Sequence, residues 1–153
     1  MPRLTEQIIV PHSADNLFLL VRDIRRYPDF IKWIGRMRVL EEAPDAEPYT
    51  CIGEAAVTFK GFEQTFSTHV RADRAAARID VELHRGPFRH LRNRWTFEPQ
   101  ADDRTRIHFF IDYDFRNPVL SMLARANGRL AVNRIMAAFR AEADRRFAGT
   151  PDS

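Results

Sequence analysis

Hydrophobic and polar residues alternate with a period of two over most of the chain between residues 37 and 115. Turns rich in Gly, Pro and Asp interrupt the alternation, so the pattern predicts a series of strands with one apolar face each. Short connections between consecutive strands favour antiparallel pairing. One more short run, Leu4–Val10, precedes the series and ends at Pro11. The pattern therefore predicts an antiparallel sheet of six to seven strands with one buried face.

Two short helices are predicted between the first strand and the rest of the sheet. Ser13 is a suitable N-cap residue, and apolar residues follow it at helical spacing over residues 17–24. The sequence Tyr27-Pro-Asp ends this helix. Residues 30–34 then predict a second short helix, which stops at Gly35.

The C-terminal stretch Asn117–Phe147 predicts a single long helix. Asn117 is a good N-cap residue, Pro118 suits the first helical position, and no other Pro occurs before Pro151. At about 1.5 Å per residue the helix would be roughly 46 Å long. We expect its apolar stripe to face the sheet. The stripe consists of Val119, Leu120, Leu123, Ala126, Leu130, Ala131, Ala137, Ala138 and Ala141, with Asn127 and Arg134 among them.

The predicted fold class follows from the order of these elements. Only the C-terminal helix is large enough to cover the apolar face of the sheet, and a twisted sheet of this size curls. We therefore predict an α+β fold in which a curved antiparallel sheet grips one long helix. Residues 1–148 are expected to form a single domain, and residues 149–153 a disordered tail.

Composition restricts the function only slightly. The chain of 153 residues is 44% hydrophobic and 29% charged, which is ordinary for a globular protein. Its net charge of +3 weakly favours anionic partners such as a membrane surface or RNA. Cys51 is the only cysteine, so an intrachain disulfide and a cysteine zinc cluster are both excluded. A cytoplasmic location is expected, since neither a signal peptide nor an apolar run of about 18 residues is present.

Motifs for catalysis or cofactor binding are absent from the sequence. We find no nucleophile elbow, zinc-protease motif, phosphate-binding loop or dinucleotide-binding glycine pattern. His108, Asp112 and Asp114 share one face of a predicted strand and form the best candidate for an acid–base or metal site. A solvated sheet face explains these residues better. We therefore expect no enzyme activity, no metal and no cofactor.

The inward phase of the predicted strands is rich in aromatic residues. It includes Val57, Phe59, Phe66, Leu91, Trp95, Phe97, Phe109, Ile111 and Tyr113. A plain hydrophobic core is one interpretation. The other is that a concave sheet and one helix leave an apolar cavity for a ligand. Asn93, Gln64 and Thr68 share this phase and are candidates to meet the polar head of such a ligand, although ordinary internal hydrogen bonds would also satisfy them.

A basic run, Arg85–Arg94, suggests a second possible binding surface. Together with Arg22, Arg25 and Arg26 it would present positive charge to the phosphates of lipid or RNA. We favour the alternative that acidic residues on adjacent strands pair with these arginines. Binding to DNA is not expected.

Several motifs, in this order and spacing, resemble those of one known family. They are Val21-Arg-Asp-Ile24, Tyr27-Pro-Asp-Phe30 with Trp33, Phe59-Lys-Gly-Phe62, Gly86-Pro-Phe88 with Leu91, Asn93 and Trp95-Thr-Phe97, Ile111-Asp-Tyr-Asp-Phe115, and Met136-Ala-Ala-Phe139. Nearly the whole chain resembles the coenzyme-Q-binding proteins of the START-like, helix-grip superfamily, a group that also includes bacterial ribosome-association toxins. One departure is Lys32, where members of this family usually have Pro before the Trp33 position.

The resemblance implies non-catalytic binding of a ubiquinone-like lipid in a long internal cavity, in support of respiratory electron transfer or quinone biosynthesis. It also implies transient membrane contact and a possible peripheral position on the inner membrane. A ribosome-associated module and a cyclase or hydratase are the alternatives. The predicted cavity lining is Phe30, Trp33, Val57, Phe59, Phe66, Leu91, Asn93, Trp95, Phe97, Phe109, Ile111, Tyr113, Leu123, Asn127, Leu130 and Arg134. Val119, Leu120 and Met122 are predicted to flank the mouth or touch a membrane, with packing against the sheet as the competing explanation.

Overall fold

The computed structural model describes residues 3–59 and 61–147, apart from the side chains of Phe59 and Phe62. It contains seven antiparallel strands in one sheet, in the order β1-β7-β6-β5-β4-β3-β2. The strands are β1 (Arg3–Val10), β2 (Ile34–Ala43), β3 (Tyr49–Phe59), β4 (Phe62–Asp73), β5 (Arg78–Arg85), β6 (Phe88–Pro99) and β7 (Thr105–Phe115). The meander from β2 to β7 confirms the predicted sheet, and β1 pairs with β7 at its edge.

Three α-helices accompany the sheet. They are α1 (Ala14–Arg22), α2 (Tyr27–Phe30) and α3 (Pro118–Phe147). Ser13 caps α1 through a bond from the Asn16 amide, and Asn117 caps α3 by accepting from the amides of Val119 and Leu120. The α+β helix-grip fold is confirmed, and the two short helices lie between β1 and β2 as predicted.

The position of the second short helix differs from the prediction. Tyr27–Phe30 is helical, whereas Ile31 is extended and β2 begins at Ile34. Pro28 does not break the helix because it lies in the first turn, where its missing amide hydrogen has no helical partner to lose. The predicted tail, residues 149–153, lies outside the described residues.

The face of α3 that packs on the sheet is not the predicted one. The buried residues are Leu120, Ser121, Ala124, Gly128, Val132, Met136, Phe139, Glu142 and Ala143. Val119, Ala126, Leu130, Arg134, Ala137 and Ala141 face solvent instead. Ala and Leu occur around the whole circumference of this helix, so its sequence does not define the buried side.

Close approach of α3 to the sheet occurs at Gly128. A Cβ atom built there would lie 3.0 Å from Leu4 Cδ1 and 3.2 Å from Tyr113 Oη. No larger residue fits that point of contact without displacement of a neighbour. Gly128 therefore sets how closely the backbone of α3 approaches the sheet at this point.

The hydrophobic core is solid on one side of the fold. Phe18 of α1 packs edge-on against Phe97 of β6, with ring centroids 6.2 Å apart, and both residues are almost completely buried. Val10, Ile107 and Ala143 belong to the same buried cluster. This part of the sheet is filled by α1 and the end of α3, which leaves any open space to the middle of the sheet.

Candidate functional site

An apolar cavity of about 220 Å³ lies between the middle of the sheet and the helices. Its walls come from β2 to β7, from the segment between α1 and β2, and from Ile135 and Phe139 of α3. Within the described residues no carboxylate, histidine, lysine or arginine lines it. The cavity is therefore suited to a hydrophobic ligand or part of one.

Besides the indoles of Trp33 and Trp95, three residues, Asn93, Thr68 and Tyr27, bring polar groups to the cavity. The Asn93 amide nitrogen donates to the Phe110 carbonyl oxygen at 2.7 Å, and the Trp95 indole nitrogen donates to the Asn93 side-chain oxygen at 2.9 Å. Thr68 lines the cavity from β4, two strands away from Asn93, and lies close to Gly53. Asn93 retains one amide hydrogen and Thr68 its hydroxyl for a ligand.

Tyr27 supplies the third polar group. Its hydroxyl donates to the Val21 carbonyl oxygen, and burial raises the pKa of this phenol well above its usual value. The group therefore stays protonated at physiological pH and holds the short helix α2 against the end of α1. Its ring packs edge-on against Phe139 at 5.2 Å.

Aromatic rings form much of the wall. Phe139 of α3 lies 4.8 Å from the Trp95 ring and 5.2 Å from the Phe30 ring, measured between centroids. Trp95 also contacts Phe109 edge-on at 4.8 Å. These tilted contacts are the arrangement that aromatic pairs prefer, and they fix the wall on the helix side.

Eight of the predicted lining residues meet at this cavity. They are Trp33, Val57, Phe66, Leu91, Asn93, Trp95, Phe109 and Ile111. Each was selected for the inward phase of a strand or for the segment after the first helix. Phe59 was also predicted, but its side chain lies outside the described part of the structure.

Other predicted residues lie elsewhere. Phe97 belongs to the solid core against α1. The Tyr113 hydroxyl donates to the Ala124 carbonyl oxygen at 3.3 Å, which places the ring beneath α3. Leu123 is half-buried on α3 and does not line the cavity. Phe30 lies between Phe139 and the Arg146 guanidinium, and it does not line the cavity either.

Leu120 does not lie at the mouth of the cavity or on a surface that could touch a membrane, as was predicted. It is only 4% exposed, because it lies on the face of α3 that packs inward. Val119 and Met122 are 50% and 58% exposed. They lie at the start of α3, away from the part of the helix that borders the cavity.

Sequence reasoning missed the helical contribution to the wall. Val21, Ile24, Tyr27, Ile31, Ile135 and Phe139 all line the cavity. The apolar spacing of residues 17–24 identified a buried face on α1, but that pattern does not distinguish a core contact from a cavity wall.

Two surface grooves adjoin the cavity on one side of α3. Asn127, Leu130, Ala131 and Arg134 line one of them together with Trp33, Thr58 and Ile135. The other contains Lys32 and Phe30 as well as Trp33 and Arg134. Trp33 and Ile135 line both the cavity and a groove, so they separate the interior from the surface. The predicted residues Asn127, Leu130 and Arg134 thus belong to the groove.

The side chains of the alternative candidate sites bond to neighbouring side chains. His108 pairs with Glu98 at 3.0 Å, and Asp112 pairs with His90 at 3.0 Å. In the basic run, Arg94 pairs with Asp80 at 2.6 Å. Within residues 3–59 and 61–147 no three His, Cys, Asp or Glu side chains converge as metal ligands would.

The curved sheet, the single long helix and the apolar cavity between them define a helix-grip protein with a hydrophobic site. The family described as "Polyketide cyclase / dehydrase and lipid transport" matches residues 10–140, and the chain belongs to it. Curated relatives of the chain carry the names of ribosome association toxins and of a coenzyme Q-binding protein. Membership is compatible with binding and with catalysis.

Two curated relatives and one solved structure illustrate the family. The ribosome association toxin RatA of Escherichia coli is 30% identical over 138 residues, which are 90% of this chain and 84% of that protein. The mitochondrial coenzyme Q-binding protein coq10 of Schizosaccharomyces pombe is 26% identical over 133 residues, 86% of this chain and 80% of the relative. An 18 kDa protein from Caulobacter crescentus superimposes with a TM-score of 0.81 at 36% identity, covering 97% of this chain and all of the other.

None of the helices in the described residues is long and apolar enough to cross a membrane.

Proposed function

We propose that this protein binds a hydrophobic ligand without converting it chemically, and that the ligand is ubiquinone or a related polyprenyl lipid. The observation that carries the proposal is the apolar cavity between sheet and helices, whose described lining contains no charged side chain. Burial of apolar ligand surface supplies the affinity, at about 0.8 kcal/mol for each CH₂ group removed from water. The similarity to a coenzyme Q-binding protein supports the choice of ligand.

The polar groups of the cavity suit a quinone ring. A quinone carbonyl accepts hydrogen bonds but donates none. The free amide hydrogen of Asn93 and the hydroxyl of Thr68 are donors on the wall of an otherwise apolar space. The indoles of Trp33 and Trp95 offer flat surfaces against which a ring packs.

The size of the cavity limits how much of a polyprenyl ligand it can hold. About 220 Å³ is smaller than the roughly 300–1,000 Å³ of sites that enclose drug-sized ligands. A ring with the first part of a tail occupies it, and the remaining tail passes between Trp33 and Ile135 into the adjoining grooves. Exchange of the ligand then requires these two side chains to move.

A non-catalytic role fits the chemistry of the lining. General acid–base catalysis requires a titratable group near the reacting atoms. Among the described lining residues, Tyr27 is the only group of that kind, and its raised pKa keeps it protonated. This composition favours a carrier over a cyclase or hydratase built on the same fold.

The protein would act in the cytoplasm. It would contact a bilayer transiently, because its lipid ligand resides in the bilayer. In this role it supports respiratory electron transfer or quinone biosynthesis. A peripheral position on the inner membrane follows from the proposal, with no cofactor required.

A fluorescence titration tests ligand binding directly. Both tryptophans of the chain, Trp33 and Trp95, line the cavity. We expect a short-chain ubiquinone to quench their emission saturably in dilute detergent, and lipid extraction of natively purified protein to yield a prenyl quinone by mass spectrometry. Absence of saturable quenching together with extracts free of any prenyl lipid would reject the proposal.

Ribosome association is the second candidate function, favoured by 30% identity to RatA over 84% of that protein. Arg71 and Arg92 are exposed on the outer face of the sheet and line a broad depression of about 780 Å³. Within the described residues neither arginine has an ion-pair partner. Such cations suit the phosphates of RNA.

Co-sedimentation with ribosomal subunits tests this second function. We expect binding to weaken steeply as salt increases, because phosphate contacts release counterions. Arg92→Glu should reduce the bound fraction further, and Arg134→Glu on the opposite side of the protein is the charge-matched control. Equal loss in both variants would indicate a general charge effect.

A further inference from the structure

The outward face of α3 carries a line of exposed apolar residues, with Asn133 beside it and Asp144, which bonds to His12, one turn beyond its end. Val119 and Leu130 are 50% and 46% exposed, and Ala126, Ala137 and Ala141 are exposed as well. At 100° per residue these five positions fall within an arc of about 60°. We call this set the outer stripe. It lies opposite the helix face that packs on the sheet.

Positive charge borders the outer stripe. Residues 118–141 contain four arginines and no acidic residue. Arg140 lies on one flank of the stripe and Arg134 on the other, and Lys32 reaches the same side from the loop before β2. Among the described residues, none of these three cations is within ion-pair distance of a carboxylate. An apolar strip between unpaired cations is typical of helices that lie in a membrane interface.

The outer stripe is continuous with the way into the cavity. Leu130 and Arg134 line the groove that ends at Trp33 and Ile135, and Lys32 lines its neighbour. The described lining of both grooves includes no acidic side chain. A surface that binds the outer stripe therefore also covers the entrance.

We propose that the outer stripe, with Lys32, Arg134 and Arg140, docks the protein onto an anionic lipid bilayer. The inference rests on the proposed function, because it supplies the route by which a membrane lipid reaches the cavity. The apolar residues enter the boundary between headgroups and acyl chains, and the cations meet lipid phosphates. The entrance at Trp33 and Ile135 then faces the bilayer, so a prenyl tail passes between membrane and cavity without crossing water.

Vesicle flotation of the full-length protein provides the test. The vesicles consist of phosphatidylcholine alone or of phosphatidylcholine with phosphatidylglycerol, and both are free of quinone. We expect the protein to float with the anionic vesicles and not with the neutral ones, and added salt to weaken binding. Each cation near an anionic surface contributes about fivefold in affinity, so Arg134→Glu should reduce partitioning at least about fivefold.

Matched variants separate docking from other effects. Leu130→Glu should abolish flotation, whereas Leu40→Glu places the same change at an exposed residue of β2 and should not. Arg92→Glu repeats the charge reversal on the outer face of the sheet and should leave flotation unchanged. The melting temperature of every variant checks that the fold is intact.

The results also distinguish this inference from the proposed function. Saturable quenching by ubiquinone in detergent, with flotation unaffected by Leu130→Glu and Arg134→Glu, overturns docking and leaves ligand binding in place. Equal binding to neutral and anionic vesicles also overturns it. A third outcome also overturns docking: no vesicle binding occurs, and Leu130→Glu instead abolishes another interaction. That interaction would be self-association, measured by sedimentation velocity, or binding to ribosomes, measured by co-sedimentation. Vesicle docking without any quinone binding would reject the proposed ligand instead.

Discussion

At the scale of single residues, Asp114 joins the last strand to the long helix. Its Oδ1 accepts from the Ser121 hydroxyl at 2.6 Å and from the Phe115 amide at 3.0 Å. The Ser121 bond and the nearby guanidinium of Arg89 hold the pKa of this carboxyl below its usual value of 3.8. Sequence reasoning placed Asp114 in a possible acid–base group, but its partners make it a structural link.

Asp114→Asn should reduce the free energy of unfolding at neutral pH. It should also make this free energy less dependent on pH in the acid range. A lowered pKa in the folded state means that the charged carboxylate stabilises the fold above its usual pKa, and that this contribution is lost as pH falls through the lowered value. Asparagine does not titrate, so that part of the acid sensitivity disappears. Urea unfolding at neutral pH and on both sides of pH 3.8 measures the change.

Asp45→Asn, in the loop between β2 and β3, is the control and should leave the profile unchanged. An acid profile of Asp114→Asn that matches the parent would show that this carboxyl does not link the two elements energetically.

At the scale of elements, the position of α3 depends on a close contact at Gly128. The helix covers β7 and β1 and also contacts α1 and α2. Its separation from the sheet is set by small residues, because Gly128 leaves only about 3 Å for any side-chain atom beside Leu4 and Tyr113. The distance between α3 and the sheet also determines how much space is left for the cavity beside Ile135 and Phe139.

Gly128→Leu should therefore destabilise the protein, by up to about 2 kcal/mol. Overpacking costs about 1–3 kcal/mol, and better helix propensity returns up to about 1 kcal/mol of that. Ala126→Leu, two residues earlier on the exposed side, is the matched control and should be nearly neutral. Chemical denaturation measures both. A Gly128→Leu variant as stable as the control would mean that α3 moves freely on the sheet.

At the scale of the whole molecule, the open space lies between the middle of the sheet and the helices. α1 and the end of α3 fill one side of the fold around Phe18 and Phe97. The middle of the sheet is covered by α3 and by the short segment from Tyr27 to Trp33, which does not fill the concave face. The cavity is therefore a product of how three helices cover one curved sheet.

Ala55→Phe should fill this cavity and abolish ubiquinone binding while the protein stays folded. Ala55 is buried on β3 and its side chain faces the open space, so a ring there occupies volume that the ligand needs. Tryptophan quenching by a short-chain ubiquinone measures binding, and the melting temperature checks the fold. Ala141→Phe adds the same ring on the exposed side of α3 as a control. Unchanged affinity in Ala55→Phe would place the ligand elsewhere.

The sequence alone determined the order and type of the elements, because an alternating pattern is typical of a half-buried strand and Asn117-Pro118 before a long proline-free stretch favours the start of a helix. It also determined which strand residues face inward, and seven of the predicted ligand-binding residues meet at the cavity for that reason. Only the tertiary structure decided which side of α3 is buried. The helix is apolar on two sides, and the contact of Gly128 with Leu4 and Tyr113 selects one of them. The tertiary structure also decided that Phe97 is packed core while Trp95, two residues away, borders open space. Alternation fixes the direction of a side chain but not what lies opposite it.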